Sequence, residues 1–294
     1  MPEKDFHVSL LDWSSVPQLR DPFLVIGFDG WSNAGSVSTD TIQHLVETLK
    51  PSVIAGVNEE PFINYTLDRP VGQIEDGIIH DLEGMSKEVF AWESQGGDHD
   101  LVLFSGKEPH FGWPAYSRTI LAIVRCLSVK RLYTVGGVQD TVSHSASPLV
   151  TVVGSSPIII TETCALAKGM RPADYYGPVS IHSWLIKVCM DEGVEAASLW
   201  GHVPAYLQRS PKLVAKIVGI LNEAAGMQCP VDSLNQKSIE LDRKINEALA
   251  KDPNLKRFVE TIEQKETPDA SDADDKVIRL NDFLRRDSRK DPES

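Results

Sequence analysis

From Phe23 to Gly226 the hydrophobic positions follow two alternating rhythms. Short apolar runs fit buried strands, and stripes repeating every three or four residues fit helices. Phe23, Leu24, Val25 and Ile26 form the first run. Gly27 and Gly30 mark a turn, and Ile42, Leu45, Val46 and Leu49 form a helical stripe that Pro51 ends. Ser32 or Asn33 is placed to cap that helix. Ser52 to Val57, Glu88 to Glu93, Leu101 to Phe104, Arg131 to Val135 and Glu195 to Trp200 read as further strands. His7 to Trp13 reads as a strand preceding them, and Phe62 to Thr66 as extended. The Gly- and Asp-rich stretch from Asp68 to Ser86 reads as an irregular excursion.

Helices are expected after Pro114, with Ile120, Leu121, Ile123, Val124 and Leu127 inward, and over Ser180 to Glu192, capped by Gly193. Another begins at Ser210–Pro211, buries Leu213, Val214, Ile217, Val218 and Leu221, and closes at Gly226. Leu149 to Val153 and Ile158 to Thr161 are rich in β-branched residues, which favour strands. Strands alternating with helices predict a three-layer α/β/α fold: a largely parallel sheet with helices on both faces. After Pro230 the composition changes. Two amphipathic helices are expected, on Leu241, Ile245, Ala248 and Leu249 and on Leu255, Phe258, Val259 and Ile262. An acidic linker from Thr267 to Asp275 and a short apolar helix over Val277 to Leu284 follow. The domains so drawn are 1–230 for the α/β/α body, 231–266 for a helical extension and 267–294 for linker, short helix and charged tail.

Three strands end in glycine: at Gly30, at Gly106 and at Gly136–Gly137. Strand ends of an open α/β sheet line a common crevice, so one rim is predicted to collect Asp29, Gly30, Trp31, Asn33, Gly35, Gly106, Glu108, Gly136, Gly137, Asp140 and His144. No catalytic residue is assigned on it. His144 has no nucleophile-elbow context and no identified partner. Gly30-x4-Gly35 has the outer spacing of a phosphate-binding loop, but Ser36–Val37 stands where Lys-Ser/Thr is needed. Cofactors are not expected, and metal-ligand spacing is not recognised.

The 294 residues carry 29 basic and 42 acidic side chains, a net charge of −13, which argues against a nucleic-acid partner. The four cysteines are scattered with no C-x-x-C pair, as in a reduced interior. No apolar run approaches the roughly 18 residues of a membrane span, and no secretory region follows Met1 to Asp5. A cytoplasmic protein is expected.

Gly30-Trp31-Ser32-Asn33-Ala34-Gly35, Gly106-Lys107-Glu108-Pro109 with Trp113, and Gly136–Gly137 through Pro148 stand in a telling order. Tyr176-Gly177-Pro178 and Ser198-Leu199-Trp200 with Val203-Pro204-Ala205-Tyr206 complete it. In that order and spacing the chain resembles the proteasome assembly chaperone 2 family, in its longer prokaryotic form, from Phe23 to Leu234. The resemblance implies a fold similar to nucleoside phosphorylases, self-association (a trimer being one option), and a non-enzymatic chaperone role with proteasome subunits or another protein as client. Some relatives dock on proteasomes through a hydrophobic–tyrosine–any C-terminus. Asp291-Pro292-Glu293-Ser294 departs from that pattern. The alternative is a small-molecule enzyme or ligand sensor that uses the crevice.

Overall fold

The computed structural model describes residues 10–82, 86–254, 256, 257, 259 and 261. Eleven strands are β1 (Leu11–Trp13), β2 (Phe23–Asp29), β3 (Ser52–Asn58), β4 (Gly72–Glu75), β5 (Ile78–Leu82), β6 (Ser86–Trp92), β7 (Leu101–Lys107), β8 (Arg131–Asp140), β9 (Val150–Gly154), β10 (Arg171–Pro172) and β11 (Glu195–Pro204). Six α-helices are α1 (Val37–Leu49), α2 (Trp113–Cys126), α3 (Pro157–Ala165), α4 (Ile181–Asp191), α5 (Pro211–Ala225) and α6 (Asp232–Lys251).

Nine strands form one mixed sheet in the order β1-β3-β6-β7-β2-β8-β11-β9-β10. Its centre, β7-β2-β8-β11, is parallel, with Ile26 level with Phe104 and Thr134. The strands β1, β3 and β6 on one side, and β9 on the other, join in antiparallel fashion. Helices cover both faces, giving the three-layer α/β/α architecture. Leu45 of α1, Ile159 of α3 and Val214 and Ile217 of α5 pack on one face, while Ile120 of α2 and Leu185 of α4 pack on the other. Both faces of β2 are therefore buried, which is why Phe23 to Ile26 is uninterruptedly apolar.

Several local expectations change. Ile158 to Thr161 lies inside α3, not in a strand. Ser156 caps the helix by accepting from the Ile159 amide (3.3 Å) and Pro157 supplies its first turn, so capping outweighs β-branched propensity. Phe62 to Thr66 is not extended. A 3-10 turn over Glu60–Phe62 leads into a turn in which the Asn64 side chain accepts from the amide and hydroxyl of Thr66. The excursion at 68–86 is not irregular throughout, because β4 and β5 make a separate two-stranded hairpin. Gly106 and Gly136–Gly137 sit inside β7 and β8 rather than in turns. Ser210 starts α5 without a side-chain cap. Asn33, by contrast, caps α1 from a turn away: its Oδ1 accepts from the amides of Ser38 (3.0 Å) and Thr39 (3.3 Å).

Gly193 and Gly226 adopt left-handed conformations after α4 and α5, as helix-ending glycines do. All four cysteines are free. Cys189 and Cys229 are buried, whereas Cys126 is exposed. α6 buries Leu234 and Ser238 but leaves much of its length open. His7 to Ser9, Leu255, Phe258, Ile262, the Thr267 to Asp275 linker and the Val277 to Leu284 stripe lie outside the described residues.

Candidate functional site: the carboxyl edge of the central sheet

The parallel strands β2, β7, β8 and β11 end on one edge of the sheet, at Asp29, Lys107, Asp140 and Pro204. β3 runs in the same direction as β7, because each is antiparallel to β6, so it ends there too.

The turn after β2 folds back over this edge. Asn33 forms a bridge to Gly137, whose amide donates to the carbonyl of Ser32 (2.7 Å). A side chain on Gly137 would run into the backbone of Ala34, so only glycine lets the turn close on β8. Gly35 takes a left-handed conformation and its carbonyl accepts from the Ser210 amide (3.0 Å). Gly136 lies under the ring of Trp200, and Gly106 under the carboxylate of Glu59. The crevice between strand ends is thus filled by the chain's own turn.

The polar residues of the turn are committed internally. Asn33 Nδ2 donates to Asp29 Oδ1 (3.2 Å) and to Thr39 Oγ1 (3.0 Å). Glu108 is a clasp: Oε2 accepts from the Trp31 amide (2.9 Å) and Oε1 from the Ile181 amide (3.0 Å) at the start of α4. A carboxylate suits that helix terminus electrostatically. The Trp31 amide is held while the residue is 69% exposed.

Asp140 and His144 belong to a second group. Asp140 Oδ2 meets His202 Nδ1 at 2.7 Å, and His202 Nε2 lies 3.0 Å from Thr151 Oγ1. The hydrogen bond to His202 holds the Asp140 carboxyl below its ordinary pKa. The Tyr206 hydroxyl accepts from the His144 amide (2.9 Å) and lies 2.7 Å from His144 Nδ1. Beside them a small cleft, open to solvent, is lined by His144, His202, Lys212 and Asp242 among others. The Lys212 ammonium donates to the carbonyls of His144 (2.9 Å) and Ala146 (3.2 Å).

Sequence reasoning missed three groups. Glu59 is buried where the excursion leaves β3. Its carboxylate accepts from the Lys107 amide (3.0 Å) and from Tyr116 Oη (2.7 Å), and burial pushes its pKa up to about 7. His182 is fully buried between Phe28 and Trp200 with neither ring nitrogen hydrogen-bonded, and burial pulls its pKa down to about 3. His202 completes the Asp140 network. None stands in a motif: Glu59 and His202 are single polar letters whose partners are distant in the chain, and the His182 ring has no hydrogen-bond partner. No cluster of metal-ligating side chains occurs among the described residues.

The sequence profile of the PAC2 family matches residues 27–249. No curated protein matches the chain significantly. A proteasome-assembly chaperone homologue from Mycobacterium tuberculosis is similar in structure, with a TM-score of 0.73, 24% identity, and 81% of this chain and 99% of that one covered. A PAC2 family protein from Streptomyces avermitilis superposes with a TM-score of 0.69 at 26% identity, over 77% of this chain and 95% of its own. An archaeal proteasome activator from Pyrococcus furiosus shares the fold with a TM-score of 0.66 at 17% identity, over 81% and 97%.

Proposed function

The chain belongs to the PAC2 family, and from that premise we propose that it is a non-catalytic, self-associating protein of the assembly-chaperone type, with proteasome subunits as clients. The observation that carries this reading is the filled crevice. Asp29, Asn33 and Glu108 spend their polar atoms on the turn and on α4, while Trp31 stands exposed on the same edge. An enzyme needs unspent polar groups facing an open site. An exposed aromatic is what a protein partner uses as an anchor. The names of the Mycobacterium and Pyrococcus relatives supply the proteasome as the client class.

A second reading, a small-molecule sensor, draws on the separate cleft at His144 and Lys212. The lysine there is already satisfied by two carbonyls, which weakens its call on an anionic ligand.

The test is recovery of interacting proteins from native extract with the full chain and with Trp31→Ala, quantified by mass spectrometry. Proteasome subunits should be enriched by the wild type and reduced at least several-fold with the variant. Their absence from the wild-type sample rejects this client.

A further inference from the structure

We propose that His182 is an acid-operated latch: its protonation parts the first turn of α4 from the turn at residues 30–35 and opens the carboxyl edge of the sheet. The proposal goes beyond the chaperone reading and does not depend on it. Trp200 pairs with Gly136, and Phe28 lies one step beyond the Gly27–Val135 pair, so Phe28, Gly136 and Trp200 stand level on three adjacent parallel strands. Gly136 has no side chain. The His182 ring, reaching in from α4, packs between its two neighbours, with its centre 5.2 Å from the Phe28 ring and 5.2 Å from that of Trp200. It is fully buried there.

A neutral imidazole tolerates this place, and an imidazolium does not. Charging the ring makes both nitrogens donors, and neither has an acceptor. The titratable groups on the surrounding elements are engaged elsewhere. Asp29 is bonded to Asn33, Glu108 to the Trp31 and Ile181 amides, Tyr116 to Glu59, and Asp140 to His202. Arg118 and Arg125 of α2 and Lys187 of α4 are exposed. Burial is the one cause that shifts the His182 pKa, from 6.5 down to about 3.

Where the edge opens follows from where the unpaired groups lie. Six buried side-chain polar atoms lack a hydrogen-bond partner among the described residues, and four of them belong to Ser32, Ser180 and His182. Ser180 and His182 flank Ile181, Ser32 follows Trp31, and Glu108 joins the Ile181 and Trp31 amides. Parting the two turns gives all four atoms to water, so the closed arrangement is held against a cost. Ser36, just past the same turn, has a left-handed backbone (φ 53°) that a non-glycine residue adopts under strain.

The sign is that of a buried neutral base. Closed, the ring takes its proton only near pH 3, whereas an opened, hydrated ring takes it near 6.5. The latch is therefore fully shut above about pH 6.5. Below that, opening gains about tenfold for each unit the pH falls, or about thirtyfold at pH 5.

The experiment is native-state amide exchange on the full chain at pH 7 and pH 5, corrected for the intrinsic pH dependence of exchange. It compares the wild type with His182→Gln and His182→Phe, neither of which titrates; with two variants, one that misfolds does not remove the comparison. The reporters are the amides of Trp31, Gly137 and Ile181, which tie the turn to β8 and to α4. The amides of Val102 and Leu103 in β7 report global opening. Opening at the reporters should rise about thirtyfold in the wild type and stay within a few-fold in a folded variant, with β7 still protected. Glu59 acts in the opposite sense over this range and is present in every chain, so the comparison isolates His182. The same pH response in wild type and variants overturns the latch. A rise at β7 that matches the reporters also overturns it, because the event is then global unfolding. So does a wild-type His182 ring signal that titrates near 6.5 by NMR while the reporters stay protected, since the closed fold then holds the imidazolium.

Discussion

At the scale of the residue, Glu59 is the most sensitive point. It is buried against Tyr116 and the Lys107 amide, and burial raises its carboxyl from 4.5 to about 7. The folded state thus binds this proton more tightly than the unfolded chain. The stability it contributes is complete below about pH 4.5 and is lost as pH rises through about 7, where an ionised carboxylate must stay buried. The loss amounts to roughly 2–4 kcal/mol. Glu59→Gln, which cannot ionise, should remove that part of the pH dependence. Urea midpoints measured across this range should show the variant gaining on the wild type as pH rises, and a constant gap between them would sink the assignment. Gly30 shows the opposite kind of constraint. A Cβ there would lie 2.5 Å from that of Glu108, so the residue is chosen for space beside the clasp. The glycine was legible as a letter. The carboxylate that excludes any other residue was not.

At the scale of the element, the turn from Gly30 to Gly35 explains why a phosphate-loop spacing does not make a phosphate site. The Trp31 amide is spent on Glu108, the Asn33 amide on the Gly30 carbonyl, the Ser36 amide on the Asn33 carbonyl, and those of Ser38 and Thr39 on Asn33 Oδ1. Those five amides are not free to cradle a phosphate, and the lysine is missing. Isothermal calorimetry with magnesium-ATP should show no binding heat, and micromolar, magnesium-dependent binding would refute this account. The same scale holds the clearest misreading. Ile158 to Thr161 looks like a strand by composition, but Ser156 and Pro157 begin a helix that buries Ile159 and Thr163. The helix is short, with Ile159 and Thr163 buried but Ile158 and Thr161 exposed, so periodicity carried almost no signal there.

At the scale of the whole molecule, the α/β body is expected to assemble without the C-terminal segment. Cutting after Gln264 should leave the light-scattering mass that of the assembled wild type, less the removed residues. A monomeric truncated protein beside a multimeric full chain would place the assembly contact in the tail. The body itself was legible because its core strands are buried on both faces. Phe23 to Ile26, Leu101 to Phe104 and Arg131 to Val135 could hardly be anything but central strands, and the helical stripes between them dictated layers on both sides. The sequence by itself therefore determined the strand–helix alternation, the three layers and which strand ends share an edge. Only the tertiary structure decided what occupies that edge. Whether a crevice is open depends on contacts such as Gly137 on Ala34 and Glu108 between Trp31 and Ile181, made by residues about 70 to 100 positions apart. It also decided that the Asp140–His202–Thr151 network stands apart from Asn33, and that two isoleucines face each other on a hairpin in the open. Local periodicity records how much of a side chain must be buried. It does not record which distant group meets it, and at this edge that meeting sets the chemistry.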